Sequence, residues 1–140
     1  MSPGAWPEAA DLPAQRDRLA ADVARLSQRL RGLGLPRLAQ DLHPYGTRGD
    51  AGHRAAQVLA DLAHGVEDRN DPSAPRWREV PRLSDASIGD QVAVTGHDAV
   101  AAVAGTPPEA EVWTRAGRSP VSEAVADALA ELRTLRLAID

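Results

Sequence analysis

The sequence predicts an all-α protein, an irregular four-helix bundle with a short extra helix and a Pro-rich connector. Three observations carry that expectation. The chain has no Phe, one Tyr and three Trp, so Ala, Leu and Val must fill its core. Such residues suit closely packed helices and give little to a β-sandwich. Apolar residues recur at helical spacing in four segments, each bounded by Gly, Pro or capping residues. Finally, Ser87–Gly105 contains only two charges, Asp90 and Asp98, and no Arg occurs between Arg82 and Arg115. A helix apolar over most of its girth is expected to be central, wrapped by its neighbours.

Residues 1–10 hold two Pro, a Gly and Trp6, and read as a loose arm whose Trp6 could tuck onto the bundle. Asp11 is placed to cap the first helix, with Pro13 in its first turn. Leu12, Leu19, Val23, Leu26 and Leu30 form its apolar stripe, the last four spaced as in a coiled-coil seam. Gly32, Gly34 and Pro36 stop it. Leu35, Leu38 and Leu42 predict a short helix over Pro36–Leu42, ending before Pro44.

After the loop HPYGTRGDAG, the second helix is predicted from about Asp50 to Asp68, burying Ala55, Val58, Leu59, Leu62 and Val66. Residues 69–83 have three Pro and form the connector, with Trp77, Val80 and Leu83 expected to pin it to the bundle. The third helix opens at Ser87, with Asp90 in its first turn. Its main face is Ile88, Val92, Thr95, Ala99 and Val103, beside a ridge of Gly89, Ala93, Gly96 and Val100. A strand at Gln91–Thr95 is the rival reading; the helical period through Val103 and the many alanines favour helix. Glu111–Ala116 alternates and suggests a short extended piece, with Trp113 covering a bundle end. Ser119 and Pro120 are expected to cap and open the fourth helix, buried along Val121, Val125, Leu129, Leu132 and Ile139.

The 140 residues fit one domain, 1–140, divided into the arm, a first helical pair (11–68), the connector (69–83) and a second pair (84–140). Net charge is −4, which disfavours nucleic acid and anionic membranes as partners. All sixteen basic residues are Arg, a usage without clustering that reads as coding bias. Without Cys there is no disulfide, thiolate zinc site or Cys nucleophile. The first residues lack a secretory pattern and no run reaches the ~18 apolar residues of a membrane span, so a cytoplasmic protein is expected.

The chemistry-bearing residues are sparse. His53 and His64 share the side of the second helix that points away from its apolar stripe, a position expected to be solvated. No histidine stands four residues from His97, and the fourth helix has none, so the HExxH pattern and the paired histidines of a bundle metal site are both missing. Gly46–Gly52 precedes a helix but fits no phosphate-loop spacing, and no Ser stands in a nucleophile elbow. Glu123, Asp127 and Glu131 repel one another at i, i+4. A packing of the first helix beside the fourth, with Arg18, Arg25 and Arg29 facing this acidic ladder, is therefore expected.

No catalytic residue, cofactor or metal ligand is predicted. The expected function is that of a small interaction or accessory protein that binds a protein partner or self-associates through helix faces. Its surface would comprise Val94, His97, Asp98, Ala101 and Ala104; the competing expectation for this face is that another helix packs on it and His97 is a buried, hydrogen-bonded residue. The alternative is a ligand- or metal-binding bundle enzyme with a pocket near His97 and Asp98, lined by Tyr45 or a Trp.

Overall fold

The computed structural model describes residues 11–140, so the expected arm and Trp6 lie outside the described residues. The architecture is a four-helix bundle. Its elements are α1 (Leu12–Gly32), the single turn α2 (Leu35–Leu38), a hairpin of β1 (Asp41–Leu42) and β2 (Gly46–Thr47), and α3 (Arg48–Glu67). A 3₁₀ turn at Asp85–Ser87 leads into α4 (Ile88–Ala104); β3 (Glu111–Thr114) and β4 (Gly117–Pro120) form a second hairpin before α5 (Val121–Ile139). Both hairpins are antiparallel.

The four long helices form a ring in the order α1, α4, α3, α5. The members of each sequential pair therefore sit diagonally rather than side by side. Gln15 donates to the Ser122 carbonyl and Arg29 pairs with Asp140, so α1 and α5 run parallel. Arg31 pairs with Asp90 and Arg54 with Glu131, which sets α1 against α4 and α3 against α5 in antiparallel fashion. Gly52 meets Ile88 near the start of both helices, so α3 and α4 are parallel neighbours. A parallel pair needs a return connection, and residues 69–83 supply it, running back along α3.

One core joins all four helices. Leu19, Leu26, Leu30, Leu59, Ile88, Leu135 and Ile139 are its largest fully buried side chains, each contributing ~1.5–3 kcal/mol relative to exposure. The expected apolar stripes of α1, α3 and α5 are all buried. Gln91–Thr95 is helical and carries no ladder. The expectation that α4 is wrapped by three helices is overturned: among the described residues α4 packs chiefly on α1 and α3, and the side turned away from both is exposed. Its apolar residues are small, so it fits tightly against two neighbours without needing a third. An alanine methyl at Gly96 would overlap the side chain of Val23, and one at Gly52 would overlap Ile88.

Several local signals resolve differently from the sequence expectation. Asp11 does cap α1, accepting from Ala14 N–H at 3.1 Å. The short helix is only Leu35–Leu38, because Leu42 is drawn into the β1–β2 pair, and Leu35 is exposed. Helix α3 begins at Arg48 rather than Asp50: Thr47 and Asp50 form a reciprocal capping box at 3.1 and 2.9 Å. Ser87 does not cap α4, since the 3₁₀ turn gives it helical rather than extended backbone. Ser119 is tied into the β4 ladder opposite Val112, and the first N–H of α5 goes instead to the Ala110 carbonyl at 3.0 Å. Leu83 does not pin the connector; it is exposed.

Two predictions follow from these contacts. Gly65→Ala drives a methyl into the Trp113 carbonyl, a backbone atom, and Gly96→Ala into a stiff Val23. Thermal or urea denaturation should show losses of ~1–3 kcal/mol or more, larger for Gly65, whereas Gly32→Ala, with nothing within 4 Å, should be neutral or stabilising. The Asp50 carboxyl is held below its ordinary value, first by the Thr47 N–H bond and also by Arg82. A depressed native value stabilises the fold above the unfolded value and the contribution fades as pH falls through the native one. Asp50→Asn should cost ~1 kcal/mol at neutral pH, and its deficit against wild type should shrink below about pH 4.

Candidate functional site

The chemistry of the surface follows from which sides of α4, α3 and α5 their neighbours leave uncovered. On α4, Ile88, Val92, Ala99 and Val103 face the core, while Gly89 and Gly96 lie against α1. What remains outward is Val94, His97, Asp98, Ala101 and Ala104, all exposed and spread over about a third of the helix circumference. Val94 is 62% exposed. Four of these residues, Val94, His97, Ala101 and Ala104, follow a three–four–three spacing, the pattern of a helix-pairing seam.

His97 and Asp98 do not share a pocket. His97 borders a shallow groove of about 300 Å³ shared with Ala20, Val23 and Ala24 of α1. Asp98 lines a separate cleft of about 210 Å³ with His64, Glu67, Asp68 and Arg78. Tyr45 lies in the first hairpin against the core, and no Trp lines the His97 groove. Consecutive helical residues diverge by about 100°, which sends the two side chains to opposite flanks of α4.

The His53–His64 side of α3 is not solvated as expected, because the connector covers it. Gln57, almost fully buried, donates to the Arg78 carbonyl at 2.9 Å and accepts from Val80 N–H at 2.8 Å. His53 Nε2 lies 2.7 Å from the Val80 carbonyl, to which it donates. His64 Nε2 is 3.1 Å from Asp68, and the ring meets Trp77 edge-on with centroids 5.6 Å apart. These histidines fasten the connector. Among the described residues no group of three or more His, Cys, Asp or Glu is placed to hold a metal ion.

A groove that the sequence reading missed lies between α3 and α5, with a volume of about 190 Å³. Its floor is Val58, Leu62, Ala124 and Ala128; Trp77 of the connector and Trp113 of β3 form its walls. Arg115, at the tip of the second hairpin, reaches Asp61 through both Nε (2.6 Å) and Nη2 (3.0 Å) and lies 5.4 Å from the Trp77 ring centre. Arg118 sits 4.9 Å from the Trp113 ring centre. Helices α1 and α5 are neighbours as expected, but the arginines of α1 do not answer the acidic ladder. Arg25 pairs with Asp22, Arg29 pairs with Asp140, and Glu131 is met instead by Arg54 of α3 at 2.6 Å. The ladder residues Asp127 and Glu131 border the groove, on the side of α5 turned toward α3. Trp77 and Trp113, both outside the helical stripes, were the available signal, but only the return path of the connector brings them together.

Comparison with known protein families, curated proteins and solved structures finds no match. No helix of the described residues is long and apolar enough to cross a membrane.

Replacing Gln57 by Ala removes both bonds to the connector backbone. Amide exchange at Val80 should accelerate by at least tenfold, with proteolysis appearing first within 69–83 and the α1–α4 contact unaffected.

Proposed function

We propose that this protein is a non-catalytic interaction module that self-associates through the outer face of α4. The single observation that carries this reading is the exposed, almost uncharged seam of Val94, His97, Ala101 and Ala104, with Asp98 beside it. Alanines at a helix surface allow a second helix to approach closely, and Val94 adds an apolar anchor. The seam is also self-complementary. An antiparallel two-fold centred between His97 and Asp98 seats Val94 of each copy against Ala101 of the other and sets each His97 opposite an Asp98. Isologous contacts of this kind are the commonest basis of homodimers.

Sedimentation of the purified chain tests this directly. Wild type should show a concentration-dependent monomer–dimer equilibrium, and Val94→Asp, which places two carboxylates in the seam, should shift it to monomer without loss of helix content. A wild type that stays monomeric up to millimolar concentration overturns self-association.

A further inference from the structure

We infer that the α3–α5 groove is a second binding site, which takes an arginine side chain from a protein partner. The site lies away from the α4 seam, on the helix diagonal to it, and does not depend on self-association.

Three properties select this occupant. The first is charge: in the groove Arg54 is matched by Glu131 and Arg115 by Asp61, while Asp127 meets no cation among the described residues. The lining therefore carries one more carboxylate than it carries guanidinium groups, and the surplus stands at an exposed rim position one turn before Glu131. The second is the wall. A chain whose core is aliphatic places two of its three indoles at this one opening. Indoles bind flat, weakly hydrated cations well, and guanidinium better than ammonium when it can also fork onto a carboxylate. Each indole already takes a guanidinium of the chain itself, Trp77 that of Arg115, which also reaches Asp61, and Trp113 that of Arg118, which does not line the groove. The third is size: about 190 Å³ is below the ~300–1,000 Å³ of sites for drug-sized ligands. An open groove of that volume accommodates one long side chain, its methylenes on Val58, Leu62 and Ala128 and its head at Asp127, with the donor backbone outside.

The test is a titration of the full-length chain with acetyl-Gly-Arg-Gly-amide, followed by the indole N–H resonances of Trp77 and Trp113. Saturable shifts of both are expected, diminishing with added salt and weakened about three- to fivefold in Asp127→Asn. The same peptide with neutral citrulline in place of arginine should produce none. Because Asp127 is exposed and meets no cation among the described residues, the variant should keep wild-type helix content and melting temperature. Trp113→Phe, read through Trp77 alone, should also weaken binding. Equal shifts from the citrulline peptide, unchanged binding in Asp127→Asn, or no saturation in the tens of millimolar would each overturn the assignment. Butylguanidinium binding at least as tightly as the peptide would place a free small cation there instead and overturn the protein partner. Val94→Asp should leave the titration unchanged, so a failure here is separable from a failure of self-association.

Discussion

The structure depends on how closely α4 can lie against α1 and α3. A core without Phe has only Leu, Ile, Val and Ala to fill it, and interiors tolerate few voids. The helices must therefore come nearer than bulky residues would permit. Gly52 receives Ile88, Gly96 receives Val23, and Gly89 lies over the Ser27 carbonyl and Arg31. Each glycine costs helix propensity, up to ~1 kcal/mol relative to Ala, but a methyl at these places would wedge the helices apart. The cost is offset by burial of Ile88, Val92 and Val103 on the inner side.

This packing determines the route of the chain. With α3 and α4 close, parallel and consecutive, the segment between them must travel the length of α3 in reverse. Its extended, Pro-containing backbone cannot satisfy its own hydrogen bonds, so α3 supplies partners in Gln57 and His53. The route also determines the surface. It delivers Trp77 to the edge of α3, where the second hairpin brings Trp113 and Arg115 from the other side. The groove is thus a product of topology: its walls are contributed by segments that have no helical period of their own.

That explains what could be read from the sequence. Helical stripes were legible because each depends on spacing within one segment: Leu19–Leu30, Ala55–Val66 and Val121–Ile139 are buried where the period places them. The same periodicity grouped Val94, His97, Ala101 and Ala104 on one face away from the main stripe of α4, but it left open whether a neighbour covers that face. What sequence spacing does not encode is which neighbour lies where. Low charge in Ser87–Gly105 suggested enclosure, yet two close neighbours bury the inner sides of α4 and the third side stays open. The side of α3 opposite its stripe was identified, but the expectation that it is solvated fails because the connector covers it. Caps were legible where a side chain reaches its own helix, as at Asp11, and misread where a 3₁₀ turn or a ladder had already fixed the backbone, as at Ser87 and Ser119.

The acidic ladder shows how the two kinds of information meet. Glu123, Asp127 and Glu131 stand one turn apart once their segment is helical, so the helical period alone calls for either solvent or cations nearby. The parallel arrangement of α1 and α5 brings together their like ends, where Arg29 finds Asp140 rather than the ladder. The antiparallel arrangement of α3 and α5 instead carries Arg54 to Glu131 and leaves Asp127 beside two indoles and an apolar floor. A charge pattern that costs a few tenths of a kcal/mol within one helix thereby becomes a means of attracting a complementary charge from outside.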